Sequence, residues 1–343
     1  MSVPALAAFI IAIALLFDYI NGFHDAANSI ATIVATRVLT PLQAVLWAAF
    51  FNFAAAFLFG TAVANTIGQG FVDLRLVTPR VILCGLAGAI LWDLLTWWKG
   101  LPTSSSHALI GGYAGAAMAR AAILHSLGRS FDALRVPGGG EWPLTLAFIF
   151  LAPLIGLVSA YLLMIAVYWI FAHASPPKMD RWFRRLQLLS AASFSLSHGS
   201  NDAQKTAGLI TGVLFTSGLL RAFAIPRWVL FASYTAIALG TLSGGWRIVR
   251  TMGARLTRLK PRSGFCAETG AAASVLLATH LGLPVSTTHA IAGAIVGVGS
   301  INRLKAVRWG IATNIVGAWV LTIPMSAVIA WLAFLLLHLA RAA

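Results

Sequence analysis

Acidic residues are scarce in this sequence, which has nine Asp and Glu among 343 residues, against 24 Lys and Arg. Charged residues make up 10% of the chain, whereas a soluble domain carries about 25%. Hydrophobic residues make up 59%, and many apolar runs reach the roughly 20 residues that cross a bilayer as a helix. The composition excludes an ordinary soluble domain and predicts an all-α, polytopic protein of the lipid bilayer.

Other absences exclude further classes of protein. The two cysteines, Cys84 and Cys266, fall in apolar segments, so we expect buried free thiols rather than a disulfide or a metal site. No cleavable signal peptide is expected, because the apolar run over residues 3–17 leads into polar sequence without a small-residue cleavage site. The net charge of +15 comes from cations between apolar runs, which indicates membrane topology rather than nucleic-acid binding.

Two stretches of the chain occur twice. GLPTSSSHALIG at 100–111 returns as GLPVSTTHAIAG at 282–293, and NGFHDAAN at 21–28 returns as HGSNDAQK at 198–205. Similarity at a fixed offset indicates a duplicated half-chain. We therefore predict three parts, a first repeat over residues 1–173, a cytoplasmic linker over 174–185 and a second repeat over 186–343.

The motifs also predict how the helices are interrupted. The segments around the two aspartate motifs are too long for one straight span, since a 35-residue helix would reach about 50 Å against a hydrocarbon core of about 30 Å. We predict that each is a discontinuous helix, unwound at its motif. The two proline motifs predict re-entrant helical hairpins, which brings the total to about 10–12 membrane segments.

Lys and Arg predict which way the chain threads. They concentrate in loops 174–185, 247–262 and 301–308, which places these loops in the cytoplasm. Counting spans from them puts loop 68–80, the flexible connector 125–141 and both termini outside. The halves are then inverted copies, with the first hairpin entering from outside and the second from the cytoplasm. Carriers of this kind hold a shared site near the midplane.

Acids within the membrane segments are candidate functional residues, because a charged carboxylate at that depth costs about 2.5 kcal/mol or more. Asp25 and Asp202 are the strongest candidates, since each is a repeated residue of a repeated motif. The alternative is that they cap the broken helices. Asp93 and Glu268 fit either a functional role or buried structural pairing, and Asp18 fits a position at the helix break.

Hydroxyl groups follow the prolines of both hairpins. Pro102 and Pro284 end the incoming helices, and Ser and Thr then begin the outgoing ones. A helix N-terminus with hydroxyl donors suits an oxyanion such as phosphate, sulfate or carboxylate, although the hydroxyls could serve only as helix caps. The candidate anion ligands are Thr103, Ser104, Ser105, Ser106, Ser286, Thr287 and Thr288.

Nearby basic side chains leave two interpretations open. His107 and His289 fit either packing or proton handling. Lys205 at membrane depth needs a partner or an anion, and Asp202 lies one helical turn away. An anion beside two carboxylates would be repelled in a low dielectric, so its uptake should be linked to H⁺, Na⁺ or a divalent metal.

At these four motifs the sequence resembles the PiT family of inorganic phosphate transporters, over about residues 17–320. The resemblance implies phosphate symport through two inverted repeats, in a homodimer. It also implies that the hairpin hydroxyls and several motif residues line the sites for phosphate and the coupling ion. The assigned residues are Gln204 and Lys205, with the hydroxyls, for phosphate, and Asp25, Asn28, Asp202, Asn201, His24 and Glu268 for the coupling ion.

One departure from the family pattern narrows the choice of coupling ion. Many members have Asn where this chain has His24, and this form resembles the bacterial, low-affinity, proton-coupled branch of the plasma membrane. That branch takes up phosphate as a neutral complex with a divalent metal such as Mg²⁺. The resemblance therefore implies H⁺ coupling, with Na⁺ as the alternative, and no cofactor besides the co-transported ions. Asp93 also stands where many members have Asn.

Other functions fit the sequence less well. Another oxyanion, such as sulfate, could use the same hydroxyls. An intramembrane phosphatase would need a nucleophilic His supported by a second His and an Arg, and the sequence lacks that set. A passive anion channel would not need paired membrane acids. We therefore expect a transporter and not an enzyme.

Overall fold

The structure, a computed structural model, describes residues 2–136, 140–301 and 304–342, without the side chains of residues 341 and 342. Arg303 of the 301–308 loop and residues 137–139 of the 125–141 connector lie outside the described residues. The described part forms twelve α-helices and no strand, which confirms the predicted all-α fold. The helices are α1 (Val3–Ala35), α2 (Pro41–Ala54), α3 (Ala62–Gln69), α4 (Pro79–Lys99), α5 (Ser105–Leu124), α6 (Trp142–Ile170), α7 (Pro176–Thr216), α8 (Arg227–Ser243), α9 (Trp246–Arg250), α10 (Pro261–His280), α11 (Thr287–Ser300) and α12 (Trp309–Ala342).

Proline and short polar side chains set where several helices begin. Prolines occupy the first turn of α1, α2, α4, α6, α7 and α10, where the missing N–H costs no hydrogen bond. Thr40 caps α2 in a capping box with Gln43, and Thr78 caps α4 by accepting from the backbone N–H of Val81. Among the described helices, four are long and apolar enough to cross a membrane, or six if each of two bent pairs is one span. The chain is a multi-pass membrane protein.

The predicted break at the aspartate motifs is wrong. Both α1, with 33 residues, and α7, with 41, run through their motifs without interruption. The motifs contain no proline, and several of their polar side chains donate hydrogen bonds to other helices, so the backbone keeps its own hydrogen bonds. The excess length of α7 is taken up at its start, because residues 176–185 are mostly exposed. Most of the predicted linker 174–185 is therefore helix rather than loop.

Helix breaks occur instead at two other places. The chain bends by 84° between α2 and α3 and by 60° between α8 and α9. Gly244, at a φ of 66°, makes the second bend in the left-handed conformation that glycine tolerates. Beyond it, α9 and a π-helical turn over Thr251–Arg255 replace much of the predicted loop 247–262. The short helix α3 packs on α7, and α9 packs on α1.

Helix packing follows a two-fold pattern. The last helix of each half packs on the hairpin of the other half, with α6 on α10 and α11 and α12 on α4 and α5. G-x-x-x-G pairs permit this at Gly111 and Gly115 on α5 and at Gly293 and Gly297 on α11, where an added Cβ would overlap the facing backbone. The long helices α1 and α7 pack against each other at the centre. The duplication is thus visible in the packing, while the opposite orientation of the halves stays a prediction.

The two connectors predicted to lie outside pack against each other where they are described. Residues Leu127–Leu134 form a 3-10 helix, and the backbone N–H of Asp73 donates to Ala133 O at 3.0 Å. The Asp73 carboxylate accepts from the guanidinium of Arg75 at 2.7 Å, and these hydrogen bonds lower the pKa of Asp73. This part of the 125–141 connector is therefore ordered by tertiary contacts, although a flexible connector was predicted. Elsewhere in the bundle, Cys84 and Cys266 are free and buried, as predicted.

Candidate functional site

Both hairpin tips turn at equivalent residues. Gly100 and Gly282 take left-handed φ values of 65° and 73°, which let the chain leave α4 and α10 sharply. Ser104 then caps α5 by accepting from the backbone N–H of His107 at 3.2 Å. Ser286 caps α11 in the same way, from the N–H of His289 at 3.1 Å. The predicted capping role is present at these two serines.

The N-termini of α5 and α11 face each other. The rings of His107 and His289 lie edge to face with centroids 4.8 Å apart, and His289 also stacks on Trp319 at 3.8 Å. These ring contacts give the two histidines the packing role considered above, while proton handling stays a prediction. All seven predicted hydroxyl residues are also buried, the most accessible being Ser286 at 3%.

Asp25 lies beside the first hairpin. Its Oδ1 atom is 2.7 Å from His24 Nδ1 and accepts from the Ser105 hydroxyl at 3.4 Å. The other ring nitrogen of His24 lies 3.2 Å from the hydroxyl of Thr96, which in turn accepts from Thr103 at 2.9 Å. This chain of contacts connects α1, α4 and the hairpin tip, so the carboxyl of Asp25 is held by its own half.

Asp202 lies beside the second hairpin and has a cation. Lys205 Nζ donates to Asp202 Oδ1 at 2.5 Å, and the Thr287 hydroxyl donates to Oδ2 at 3.4 Å. Lys205 also donates to the backbone carbonyl of Val285 at 2.9 Å and to the hydroxyl of Ser106 on the other hairpin. The predicted Asp202–Lys205 pair is confirmed as a fully buried ion pair.

Each long helix also bonds to the hairpin of the opposite half. Asn28 on α1 donates to the hydroxyls of Thr288 at 2.8 Å and Thr287 at 3.3 Å. Lys205, at the equivalent place in the second motif, contacts Ser106 on α5. The two motifs and the two hairpin tips therefore converge on one buried site, as the duplication predicted.

A group of potential cation ligands lies within this site. One ligand atom each of Asp25, His198 and Asp202 lies within 4.8 Å of the others, and all three residues are buried. His198 Nε2 is 3.1 Å from Asp202 Oδ2 without the alignment of a hydrogen bond, and its Nδ1 lies 3.1 Å from Asn52 Oδ1. Carboxylate oxygens and an imidazole nitrogen are the donors of many divalent-metal sites.

Sequence reasoning missed His198 as a site residue. The signal was present, because His198 begins the second motif and lies one turn before Asp202 on the same helix face. Its counterpart in the first motif is the neutral Asn21, so the repeat comparison alone gave it no role.

Two residues that were predicted to bind phosphate or the coupling ion, Gln204 and Asn201, form hydrogen bonds with backbone groups instead of lying among the hairpin hydroxyls. The side-chain oxygen of Gln204 accepts from Val63 N at 3.1 Å at the start of α3, and its amide donates to Ser200 O at 2.6 Å. Asn201 bonds to Leu283 O at 3.0 Å and accepts from Val285 N at 3.2 Å, which fixes the second hairpin tip. Neither side chain contacts the converging hydroxyls in the described bonds.

Glu268 lies in a separate buried cluster. It accepts from Thr32 and Ser190 at 2.5 Å each and from Gln187 at 2.9 Å. Thr32 is one turn beyond Asn28 on α1, so this cluster is close to the central site but outside its contacts. These hydrogen bonds fit the buried structural pairing that was considered for Glu268, and its role in ion coupling stays a prediction.

Two further acids are buried and make no well-aligned hydrogen bond within the described part of the chain. Asp93 lies near His24, Asp25 and Ser105, which adds a third carboxyl to the site. Asp18 is fully buried within the continuous α1, so the predicted place at a helix break is wrong. Buried carboxyls in this environment need a proton or a cation as company.

A polytopic bundle in which two hairpin tips meet paired acids and a lysine defines a membrane transporter. A family model described as the phosphate transporter family, PHO4, matches residues 21–330. The chain belongs to this family, whose members are the PiT phosphate transporters, and it is a transporter rather than an enzyme.

Similar proteins cover almost all of the chain. A probable low-affinity inorganic phosphate transporter of Rhizobium meliloti (strain 1021) is 52% identical over 95% of this chain and 94% of its own length. A protein of the same description from Bacillus subtilis (strain 168) is 43% identical over 96% of each chain. A solved structure described as the sodium-dependent phosphate transporter matches with a TM-score of 0.85 and 25% identity, over 98% of this chain and 99% of the other.

Proposed function

We propose that this chain imports inorganic phosphate as a low-affinity secondary active symporter, coupled to H⁺ and carrying phosphate as a complex with a divalent metal. The observation that carries the proposal is the convergence of both hairpin tips with Asp25, Asp202 and Lys205 at one buried place. The relatives described as low-affinity inorganic phosphate transporters support the substrate.

Phosphate would bind between the two hairpin tips. Ser105, Ser106, Thr287 and Thr288 present hydroxyl donors there, and Lys205 adds a positive charge. Hydrogen bonds from a charged donor are about twice as strong as neutral ones. Phosphate oxygens would replace Asp202 as the main acceptor of Lys205, and the hydroxyls would turn from the carboxylates toward the anion.

The carboxylates explain why phosphate would not enter alone. Asp25 and Asp202 are fully enclosed, and two unit charges of one sign at 4 Å repel by about 4 kcal/mol even at an effective dielectric of about 20. A divalent cation held by Asp25, Asp202 and His198 would remove that repulsion and bridge to a phosphate oxygen. The cargo would then be the neutral metal-phosphate complex.

Protons are the proposed driving ion because the site has more acid than metal ligation requires. Asp18 and Asp93 are buried, and neither makes a well-aligned hydrogen bond in the described part of the chain, so neither is stable there as a bare anion. His24 contacts Asp25 through one ring nitrogen and the Thr96 hydroxyl through the other, so its imidazole would exchange a proton with the Asp25 carboxyl while Thr96 orients the ring. The solved relative described as sodium-dependent keeps Na⁺ as the alternative.

The deciding experiment is uptake of labelled phosphate into proteoliposomes, with the proton, sodium and magnesium gradients varied independently. Uptake should require an inward proton gradient, rise with Mg²⁺ and ignore Na⁺. Accumulation driven by Na⁺ at equal pH would reject proton coupling, and sulfate competing as well as phosphate would reject the substrate. An uptake rate independent of every cation would contradict symport.

A further inference from the structure

A strongly basic cavity lies away from the transport site. It has a volume of about 570 Å³ and opens where α6 and α11 end, α10 begins and the chain approaches α12. No acid occurs among its described lining residues, and two buried hydroxyls, Thr257 and Ser263, lie in its wall. The cationic lining residues are Arg258, Lys260, Arg262, Lys305 and Arg308.

These cations have no acidic partner within the described part of the chain. Arg262 is the most constrained, because its guanidinium lies 5.0 Å from the ring centre of Tyr168 and donates to the Tyr168 hydroxyl at 3.4 Å. The other four form none of the ion pairs found among the described residues. A concave site with several unpaired cations attracts an anion with more than one charged or acceptor oxygen.

An apolar groove of about 270 Å³ adjoins the cavity. Residues next to each other in the chain line the two, because Thr257 and Arg308 line the cavity while their neighbours Leu256 and Trp309 line the groove. The backbone N–H of Arg308 donates to Leu256 O at 3.1 Å and ties the two segments together. From there the groove follows α12 from Trp309 to Trp319, which is about 15 Å at the rise of a helix.

The cavity lies at helix ends and the groove extends from it along the helices. On α6 the groove is lined by Leu154 and Leu157 and the cavity by Met164, further along the same helix. Val316 on α12 is 49% exposed, so the groove faces the surroundings of the bundle. A cationic cavity in loops predicted to lie at the cytoplasmic surface, continued by an apolar groove, is complementary in shape and chemistry to an anionic phospholipid.

We propose that the cavity and the groove together bind one anionic phospholipid. Its phosphate-bearing headgroup lies among the five cations, and one acyl chain lies along α12. A second copy of this chain would fit the groove less well, because it would bring another surface of a protein with net charge +15 toward unpaired cations. Trp319, at the far end, stacks on His289 and donates to Pro102 O at 3.0 Å, so the acyl chain reaches a residue that contacts both hairpins.

The test is lipid binding to the delipidated full-length protein in detergent, titrated with phosphatidylglycerol, phosphatidylcholine or inorganic phosphate. Phosphatidylglycerol should bind and raise the unfolding temperature, with phosphatidylcholine far weaker. Arg258→Gln/Arg262→Gln/Lys305→Gln should weaken phosphatidylglycerol binding about a hundredfold, since each cation near an anionic lipid contributes roughly fivefold. Val316→Trp, at a half-exposed position, should weaken phosphatidylglycerol binding without altering any cation.

The matched control removes three cations from another basic cavity, of about 340 Å³, with Lys99→Gln/Arg250→Gln/Arg255→Gln. This variant should keep its affinity for phosphatidylglycerol. Equal binding of phosphatidylcholine, or equal loss in the control, would overturn the proposal. So would inorganic phosphate that binds the cavity as tightly as the lipid, or a Val316→Trp variant that changes from dimer to monomer while its lipid affinity stays the same.

Discussion

The two aspartate helices, α1 and α7, differ in charge at equivalent positions. Both have the aspartate itself, but α1 has Asn28 where α7 has Lys205, and Asn21 where α7 has His198. Asp202 is therefore paired with a lysine one turn away, whereas Asp25 pairs with His24 and forms no ion pair with a lysine or arginine among the described residues. The same helix arrangement thus holds a lysine–aspartate pair in one half and a histidine–aspartate pair in the other, which under the proposed function would serve the anion and the cation respectively.

Replacing the aspartates gives the largest expected effects. Asp25→Asn and Asp202→Asn should each abolish concentrative uptake in proteoliposomes, because each removes a carboxylate that would hold the cation on which phosphate uptake depends. Only Asp202→Asn should also lower stability substantially, by about 3–5 kcal/mol, since it leaves Lys205 buried without its partner. Thermal unfolding in detergent measures the difference.

A double variant controls for that loss of folding. Asp202→Asn combined with Lys205→Met should regain much of the stability and still fail to accumulate phosphate. Accumulation that persists in either single variant would remove the coupling role from that residue. Equal destabilisation by Asp25→Asn would remove the proposed contrast between the halves.

The next largest effect on phosphate uptake is expected from Lys205→Met alone. A hydrogen bond to a charged group is worth about 1.5–3 kcal/mol, so apparent phosphate affinity should fall roughly 10- to 100-fold. Asn28→Ala, at the equivalent place on α1, should cost less because the amide is neutral. The measurement is the phosphate dependence of the initial uptake rate, and a larger effect at Asn28 would reverse the assignment of the anion to the second half.

The charge difference between α1 and α7 extends to Asp18, because the equivalent residue on α7 is the neutral Ser195. Both are buried, and their side-chain oxygens make no well-aligned hydrogen bond in the described part of the chain. Asp18→Asn should slow proton-driven uptake several-fold and flatten its dependence on external pH, since it removes a carboxyl that must be protonated to stay buried. Ser195→Ala should leave the pH profile as it is. An unchanged profile in Asp18→Asn would assign Asp18 a structural role.

The smallest effects belong to positions that are the same in both halves. Ser104→Ala and Ser286→Ala each remove a helix cap, which costs about 1 kcal/mol of stability. Phosphate affinity should weaken by a few fold in both variants, because the N-termini of α5 and α11 would lose part of their alignment. Thermal unfolding and uptake measured side by side decide this, and unequal effects would mean that the tips are not equivalent.

The repeated motifs predicted the convergence of the site, because residues at fixed offsets in duplicated halves must occupy equivalent places. They could not predict that α1 and α7 stay helical, since the partners of the motif side chains, such as Thr288 for Asn28, lie more than 200 residues away in the chain. Gln204 was assigned to phosphate by resemblance, yet its bond to Val63 depends on the bend before α3, which the apolar run 42–67 conceals. The same limit hid His198, whose neighbour Asp25 comes from the other half.

The uninterrupted course of α1 and α7 has a mechanical meaning. Unwinding either helix at its motif would break several buried backbone hydrogen bonds, each expensive where water is excluded. These two helices therefore hold the side chains of both motifs on one continuous backbone. The turns fall instead next to the hairpin tips, where α3 lies beside Gly282 of the second tip and α9 lies beside Gly100 of the first, so the short helices after the bends cover the tips while the long helices support them.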